Sequence, residues 1–328
     1  MKSRQNTFYF FAFLLALGLR CIQLGAIPLT DSEANWALQA ISVAQGGKPL
    51  LGGQPGYILL TSIPFFLFES SNFLARFFPA LAGSLLVFAP YLFREKLGER
   101  VALIAAFLLA AAPGMVAVSR QANGTMLAVT FTVFAWAMWQ NERPQWAGVF
   151  AGLALLGGAS IWMGLLGLGL SWALAQSLVP AADVDETEAS PNGGRIRTDE
   201  RKMAAIYGGA TILLVGTLFL FVPSGLGALF SSLIDYLSGW RFASGIPATR
   251  PLAAILSYQI LAFLFGAGAA IRGLLQKDRL SIQLSLWALV ALLLVVIYPA
   301  RQVGDLVWAA LPLWMLAAKE LGRHLRLP

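Results

Sequence analysis

Long apolar runs separated by short polar segments dominate the chain. Ten of these runs reach or approach the roughly 17–25 residues that cross the core of a bilayer. They predict an all-α fold, a polytopic transmembrane helix bundle with about ten spans. The runs cover residues 7–26, 73–93, 100–119, 123–140, 145–161, 163–180, 203–222, 251–271, 280–298 and 304–318.

The loop after the first run contains an amphipathic segment at residues 31–45. Its apolar and polar side chains alternate at helical spacing, so we expect a helix in the outer interface of the membrane. Its start, Thr30-Asp31-Ser32-Glu33, fits a capping box in which Glu33 binds the backbone amide of Thr30. Asp31 has two possible roles. Its charge stabilises the positive end of the helix dipole, or it is a functional carboxylate, because an acid beside the membrane carries a desolvation cost that a Ser or Asn cap would avoid.

A second short segment, residues 55–68, is apolar but contains Pro64. Its length of 14 residues favours an interfacial or half-inserted helix over a full span. The distribution of charge supports this interpretation. If the segment does not span, 16 Lys and Arg residues collect on one side of the membrane and five lie in loops on the other. The positive-inside rule then predicts a multi-pass protein of the cell membrane with both termini in the cytoplasm.

The composition is that of a membrane protein. Hydrophobic residues make up 58% of the chain and charged residues 12%, which leaves too little polar surface for a soluble domain. The net charge of +7 lies in short loops, so it indicates orientation and not nucleic-acid binding. The single cysteine excludes an internal disulfide and a cysteine metal cluster.

A polar segment at residues 181–202 divides the chain into two modules. It is first acidic and then basic, without apolar periodicity, which is typical of a disordered cytoplasmic linker. Residues 1–180 then form an N-terminal transmembrane module whose outer loop, 26–54, carries the candidate catalytic acids Asp31 and Glu33. Residues 203–328 form a C-terminal transmembrane module with an outer loop at 223–250.

Glycines recur in the fifth and sixth apolar runs. Gly148 and Gly152 stand four residues apart, a spacing that lets helix backbones approach closely in membranes. We expect these glycines to serve helix packing and not ligand binding.

Arginines stand at the outer ends of several runs, against the inside bias. Each is costly near a membrane unless it is paired or hydrated. Guanidinium groups bind phosphate through two parallel hydrogen bonds, so the set suits a lipid-linked phosphate, although any single arginine could simply reach the lipid headgroups. The arginines are Arg20, Arg76, Arg120, Arg241, Arg250 and Arg301, and the outer acids that we expect beside them are Asp31, Glu33 and Asp305.

One carboxylate base suffices for the transfer of a sugar from a polyprenyl phosphate. The phosphate leaves as a stable anion, whereas a glycosidase must protonate its leaving group. Arginines, or a metal held by carboxylates, would stabilise the charge on the departing phosphate.

Six short motifs follow one another along the chain: Asp31-Ser32-Glu33-Ala34, Ala75-Arg76-Phe77-Phe78-Pro79-Ala80-Leu81-Ala82-Gly83, Ala112-Pro113, Ser119-Arg120, Tyr298-Pro299-Ala300-Arg301 and Ala310-Leu311-Pro312-Leu313. In this order they resemble the polytopic glycosyltransferases of the GT-C class, in particular the protein O-mannosyltransferases and lipid A aminoarabinose transferases. The resemblance runs from residue 7 to residue 318.

The resemblance implies an Asp base at the start of the first outer loop. Asp31 is the nearest match, but by strict register Ser32 falls at the family's Asp, so either Asp31 or Glu33 would serve as the base. A divalent metal, the one cofactor that the resemblance leaves open, would be held by these two acids with water or phosphate oxygens. The residues that we expect to bind the lipid phosphate are Arg76, Arg120, Arg301, Gln54 and Tyr57.

Three functions are compatible with these features. The first is a membrane glycosyltransferase that moves a sugar from a polyprenyl-phosphate carrier to an acceptor at the outer face. A flippase for lipid-linked glycans would use the same arginines, but it would need polar residues at the bilayer midplane, which the apolar runs lack. A non-catalytic assembly protein is favoured by departures from the family pattern at Gln54-Pro55-Gly56, at Gln121-Ala122-Asn123-Gly124-Thr125 and at Ile161-Trp162-Met163-Gly164.

Overall fold

The computed structural model describes residues 2–178 and 193–324, and every regular element among them is helical. The prediction of an all-α bundle is confirmed. Two short 3₁₀ turns, Leu86–Phe88 and Val303–Leu306, precede α5 and α17. The helices are α1 (Lys2–Cys21), α2 (Asp31–Ala44), α3 (Pro55–Phe68), α4 (Asn72–Leu85), α5 (Ala89–Leu92), α6 (Arg94–Leu97), α7 (Glu99–Ala111), α8 (Pro113–Ser119), α9 (Thr125–Gln140), α10 (Pro144–Leu155), α11 (Ser160–Leu178), α12 (Gly193–Gly216), α13 (Ser224–Ser238), α14 (Thr249–Tyr258), α15 (Ile260–Leu275), α16 (Arg279–Ile297) and α17 (Val307–His324).

Two helices are long and apolar enough to cross a membrane by themselves. They are the continuous stretch Asn72–Leu92, which joins α4 to α5, and α16. Two helix pairs qualify only if each pair counts as one span, because α7 and α8 meet at 56° and α14 and α15 meet at 89°. Among the described residues, length and composition therefore support two spans, or up to four, and the count of ten stays a prediction.

The bend between α7 and α8 has a defined cause. Proline has no backbone N–H, so Pro113 cannot supply the helical hydrogen bond to the carbonyl of Leu109. The side chain of Arg20 supplies it instead, with Nη2 donating to Leu109 O at 3.1 Å and Nη1 donating to Ala110 O at 2.9 Å. Arg20 is fully buried in this position. It therefore serves the fold, although the sequence placed it among the outer arginines.

The two short helices α2 and α3 form where the sequence predicts them. The capping box of α2 is present, because Glu33 N donates to Thr30 Oγ1 at 3.4 Å and Thr30 N donates to Glu33 Oε2 at 2.9 Å. The two helices pack against each other. The small side chains that α2 buries in the hydrophobic core shared with α3 are Ala37, Ala40 and Val43.

The glycine pair of α10 lies against α12. A Cβ atom added to Gly148 would stand 2.2 Å from the carbonyl oxygen of Ala204, and one added to Gly152 would stand 2.7 Å from that of Gly208. Only a residue without a side chain permits this approach of two backbones. The prediction that these glycines serve helix packing is confirmed.

The predicted linker at 181–202 lies mostly outside the described residues, which leave a gap at 179–192. Its last part, residues 193–202, forms the beginning of α12 and not a linker. The reason is that Glu200, Arg201 and Lys202 favour helix even though they show no apolar periodicity. The division of the chain into two modules stays a prediction.

Candidate functional site

Glu33 of α2 and Arg76 of α4 form a buried ion pair. Arg76 Nε donates to Glu33 Oε1 at 3.0 Å, and Arg76 Nη2 donates to Glu33 Oε2 at 2.9 Å, so the contact is bidentate. The same carboxylate accepts the backbone N–H groups of Ala122, at 2.8 Å, and of Thr30. One side chain thus connects the start of α2, helix α4 and the turn between α8 and α9.

These contacts determine the proton affinity of Glu33. Burial raises the pKa of its carboxyl, but the hydrogen bonds from Arg76, Thr30 and Ala122 outweigh burial and lower the pKa to about 2. A carboxylate with so low a pKa is a weak proton acceptor near neutral pH.

The remaining donors of Arg76 hold the chain between α1 and α2. Nη1 donates to the carbonyl oxygens of Leu24 and Ile27, at 3.1 and 2.8 Å, and Nη2 donates to that of Pro28 at 3.1 Å. With the two bonds to Glu33, the five N–H groups of the guanidinium meet five protein acceptors. A lipid phosphate would have to replace some of these bonds.

Arg120 binds the end of α1. Its Nη1 donates to the carbonyl oxygens of Leu19, Arg20 and Ile22, at 3.1, 3.2 and 2.7 Å, and its Nη2 donates to that of Gln23 at 3.3 Å. The last carbonyls of a helix lack partners within the helix, so a guanidinium beside them is stabilising.

Arg301 differs from the other two arginines. Its Nη1 donates to the carbonyl oxygen of Ile246 at 2.8 Å, and its own carbonyl oxygen accepts a hydrogen bond from Ser244 Oγ at 2.8 Å. Its Nε is buried and has no hydrogen-bond partner among the described residues. Of the three predicted phosphate ligands, Arg301 is the one with an unused buried donor.

Asp31 is exposed at the first residue of α2. No hydrogen bond or ion pair holds its carboxylate in the part of the chain that the structure describes. It lies two residues before Glu33, at the positive end of the helix dipole. The two acids of the predicted pair therefore have opposite environments.

Gln54 and Tyr57 secure the start of α3. Gln54 Oε1 accepts the N–H of Gly124 at 2.8 Å, and Tyr57, which is fully buried, donates its hydroxyl to the carbonyl oxygen of Ala75 at 2.8 Å. Both side chains are engaged with backbone groups.

The sequence analysis expected Asp305 beside the outer arginines, but its partner in the structure is Ser160. Ser160 Oγ donates to Asp305 Oδ1 at 2.8 Å and accepts the N–H of Trp308 Nε1 at 3.1 Å. The carboxylate is buried, with 6% of the residue exposed. Ser160 opens α11, so these bonds join α11 to the start of α17.

Asp235 of α13 is a further acid, and the sequence analysis missed it. A Cβ atom added to Gly53 would stand 2.5 Å from Asp235 Oδ2, so the carboxylate touches the backbone just before α3. Burial raises the pKa of Asp235. The signal in the sequence is a lone acid within the apolar stretch Ser224–Ser238 of the loop 223–250.

The turn at residues 120–124 gathers these groups at one end of the bundle, here named the site end. Its N–H groups bind Glu33 through Ala122 and Gln54 through Gly124. Gln121 Oε1 stands 3.8 Å from a Cβ atom placed on Gly304, next to Asp305. Glu33, with its partner Arg76, and Gln54 therefore meet at this turn, and Gly304, next to Asp305, lies beside it.

Comparison with known proteins identifies the fold. Residues 49–178 match the family described as dolichyl-phosphate-mannose-protein mannosyltransferase. The structure is similar to that of ArnT from Cupriavidus metallidurans bound to undecaprenyl phosphate, with a TM-score of 0.69, 16% identity, and coverage of 97% of this chain and 60% of ArnT. The chain has the fold of the GT-C glycosyltransferases. The similarity to ArnT and the helices long and apolar enough to cross a bilayer together identify a membrane protein.

Two archaeal structures share the GT-C fold. AglB from Archaeoglobus fulgidus, in complex with an inhibitory peptide and a dolichol phosphate, has a TM-score of 0.59 and 15% identity over 97% of this chain and 50% of AglB. The Archaeoglobus fulgidus oligosaccharyltransferase in complex with Zn and sulfate has a TM-score of 0.56 and 16% identity over 95% of this chain and 48% of that protein. The chain thus spans between about half and three fifths of these proteins. No curated protein sequence matches it.

The described residues do not form a divalent cation site by themselves. No group of three or more His, Cys, Asp or Glu side chains among them could hold a metal ion. Of the two acids predicted to hold a metal, Glu33 is engaged by Arg76 and Asp31 is exposed and, within the described ranges, unpaired. A cation bound by Asp31 would therefore take most of its ligands from water and phosphate oxygens.

Proposed function

We propose that this protein is a membrane glycosyltransferase that transfers a sugar from a polyprenyl-phosphate carrier to an acceptor at the outer face of the cytoplasmic membrane. One observation carries the proposal: an unpaired carboxylate, Asp31, stands beside the engaged Glu33–Arg76 pair in a GT-C fold. The similar proteins bound to undecaprenyl phosphate and dolichol phosphate support this class of donor.

In this proposal Asp31 is the base. Its carboxylate takes the proton of the acceptor's nucleophile, which then attacks the anomeric carbon of the donor sugar. The bond from that carbon to the phosphate oxygen breaks, and the polyprenyl phosphate leaves as an anion. No protonation of the leaving group is required.

Glu33 has a positioning role in the same proposal. Its pKa of about 2 makes it a weaker base than an ordinary carboxylate, and both of its oxygens already accept hydrogen bonds. Because it lies two residues after Asp31 on α2, its bonds to Arg76 and Ala122 fix where Asp31 stands.

The arginines also have different roles in this proposal: one binds the phosphate, and the others position the chain. We assign Arg301 to the leaving phosphate, because its buried Nε is an available donor. Arg76 and Arg120 add positive charge to the site end while their N–H groups hold the chain around α1. Gln54 and Tyr57 keep α3 in place beside them.

Orientation belongs to the proposal as well. The positive-inside rule supports a multi-pass arrangement with both termini in the cytoplasm, which turns the site end outward. The donor is then used in the outer leaflet.

The test is an assay of the purified full chain with a labelled polyprenyl-phosphate sugar, in which turnover and carrier binding are measured separately. We expect Asp31→Asn to abolish turnover and to keep carrier binding, whereas Glu95→Gln, an exposed acid on α6, leaves both unchanged. Unchanged turnover in Asp31→Asn would overturn the proposal. Carrier binding without turnover in the wild type would favour an assembly protein, and movement of intact carrier between leaflets would favour a flippase.

A further inference from the structure

A cavity opens at the end of the bundle opposite the site end. Arg76, which contacts Glu33, lies near the start of the continuous helix Asn72–Leu92, whose 21 residues extend roughly 30 Å. The last part of that helix, with Ala89 and Pro90, lines the cavity. The cavity has a volume of about 460 Å³, which is within the range of small-molecule sites. Helices α6, α9, α11, α16 and α17 contribute to its wall.

The wall of this cavity is charged at one end and mainly apolar elsewhere. Lys96 of α6 donates to Gln140 at the last residue of α9, and both side chains are exposed. The apolar part of the wall includes Val133, Leu168 and Leu311. A positively charged mouth therefore leads into a hydrocarbon-lined space.

Trp287 of α16 adds a polar group inside the cavity. Its ring lines the wall and is buried, with 6% of the residue exposed. Its Nε1–H has no hydrogen-bond partner among the described residues. A buried indole N–H normally finds an acceptor, so an acceptor belonging to a bound molecule is the missing partner.

We propose that this cavity binds an anionic glycerophospholipid from the leaflet at that end of the bundle. The phosphate lies against Lys96, an ester carbonyl accepts the hydrogen bond of Trp287 Nε1, and an acyl chain lies among the apolar side chains. The wall thus offers one kind of group for each part of a phospholipid: a cation for the phosphate, a donor for the ester and apolar side chains for the acyl chain. A polyprenyl phosphate has no ester between phosphate and chain, so this site differs in chemistry from the proposed donor site and does not depend on it.

The ester contact is tested with the full chain purified in detergent, exchanged into added phosphatidylglycerol and weighed by native mass spectrometry. Trp287→Phe keeps an aromatic ring but removes the N–H. We expect this variant to lower the affinity for ester-linked phosphatidylglycerol about three- to tenfold, the effect of one hydrogen bond. The diether analogue lacks the ester carbonyl, so its retention is expected to be the same in both proteins. Equal losses for both lipids, or no loss for either, would overturn the assignment of Trp287.

The headgroup contact is tested in the same measurement. Lys96→Gln removes the charge at the exposed mouth without changing the apolar wall, and we expect it to lower retention of phosphatidylglycerol about tenfold or more. The matched control is Lys202→Gln, an exposed lysine of α12 outside the cavity wall. If Lys96→Gln retains as much lipid as Lys202→Gln, the lipid is bound elsewhere and the proposed site is wrong.

Discussion

Asp31 and Glu33 lie two residues apart on α2, but their side chains have different environments. Glu33 is buried in an ion pair with Arg76, and Asp31 is exposed. The capping box predicted from the sequence is confirmed, but it accounts for only one of the donors that Glu33 meets. Its partners Arg76 and Ala122 lie 43 and 89 positions away in the chain. A local pattern thus identified the residue but not its main partner.

The two acids are expected to respond differently to neutral substitution. Glu33→Gln leaves the buried charge of Arg76 without its partner, a change that costs about 3–5 kcal/mol. Asp31→Asn alters an exposed side chain and is expected to change stability by no more than about 0.5 kcal/mol. Thermal unfolding of both variants in the same detergent measures the difference. Equal melting temperatures would contradict the structural role of Glu33.

The ion pair also predicts a dependence of stability on pH. The pKa of Glu33 is lower in the folded protein than its ordinary value of 4.5. Its contribution to the free energy of unfolding is therefore complete above that value and is lost as the pH falls toward about 2. We expect the difference in melting temperature between the wild type and Glu33→Gln to be constant from pH 7 to pH 5 and to shrink at lower pH. A difference that grows on acidification would contradict the assignment.

At the scale of elements, small residues and prolines decide how the helices meet. The glycines of α10 permit backbone contact with α12, and Pro113 breaks the helical ladder at a point where Arg20 restores the missing hydrogen bond. The first of these effects was predicted, because glycine spacing along one helix is visible in a sequence. The second was not, because Arg20 and Leu109 lie 89 positions apart in the chain.

Gly148→Ala is expected to destabilise the bundle. Its Cβ atom would stand 2.2 Å from the carbonyl oxygen of Ala204, so the two helices must separate. The matched control is Gly209→Ala on α12, where nothing lies within 4 Å of the added atom. Because alanine favours helix over glycine by about 1 kcal/mol, the control is expected to melt at or slightly above the wild-type temperature. If both variants melt alike, the close contact of α10 with α12 does not limit stability.

At the scale of the whole molecule, the structure has one end rich in fixed polar contacts and one end with a charged mouth. Glu33, Asp305 and Gln54 all make their contacts at the site end. Lys96 and the cavity lie at the other end, where the continuous helix Asn72–Leu92 ends. A lipid-linked donor at one end and a bilayer phospholipid at the other would place the two proposed ligands in opposite leaflets.

The predicted orientation can be tested with fusions to the C-terminus. A green fluorescent protein joined there is expected to fluoresce, because the positive-inside rule places the C-terminus in the cytoplasm. An alkaline phosphatase joined at the same position is expected to be inactive, since it needs export to form its disulfides. The opposite pair of results would reverse the membrane orientation and would place Asp31 in the cytoplasm.

The sequence by itself determined the features that depend on neighbouring residues. The apolar runs established an all-helical membrane protein, the short segments at 31–45 and 55–68 became α2 and α3, and the glycine pair indicated helix packing. Each of these signals is periodic or local, so it can be recognised without knowledge of the fold. The roles of Asp31 and Arg301 in catalysis stay predictions.

Only the tertiary structure decided which charges are available. Arg76, Arg120 and Arg301 look alike in the sequence, but packing places Arg76 and Arg120 against several backbone carbonyls of the segment around the end of α1, while Arg301 keeps an unused buried donor. The physical reason is that a hydrogen bond depends on angstrom-scale distances between groups that lie far apart along the chain. Those distances are set by how helices pack, and no pattern within a single segment contains them.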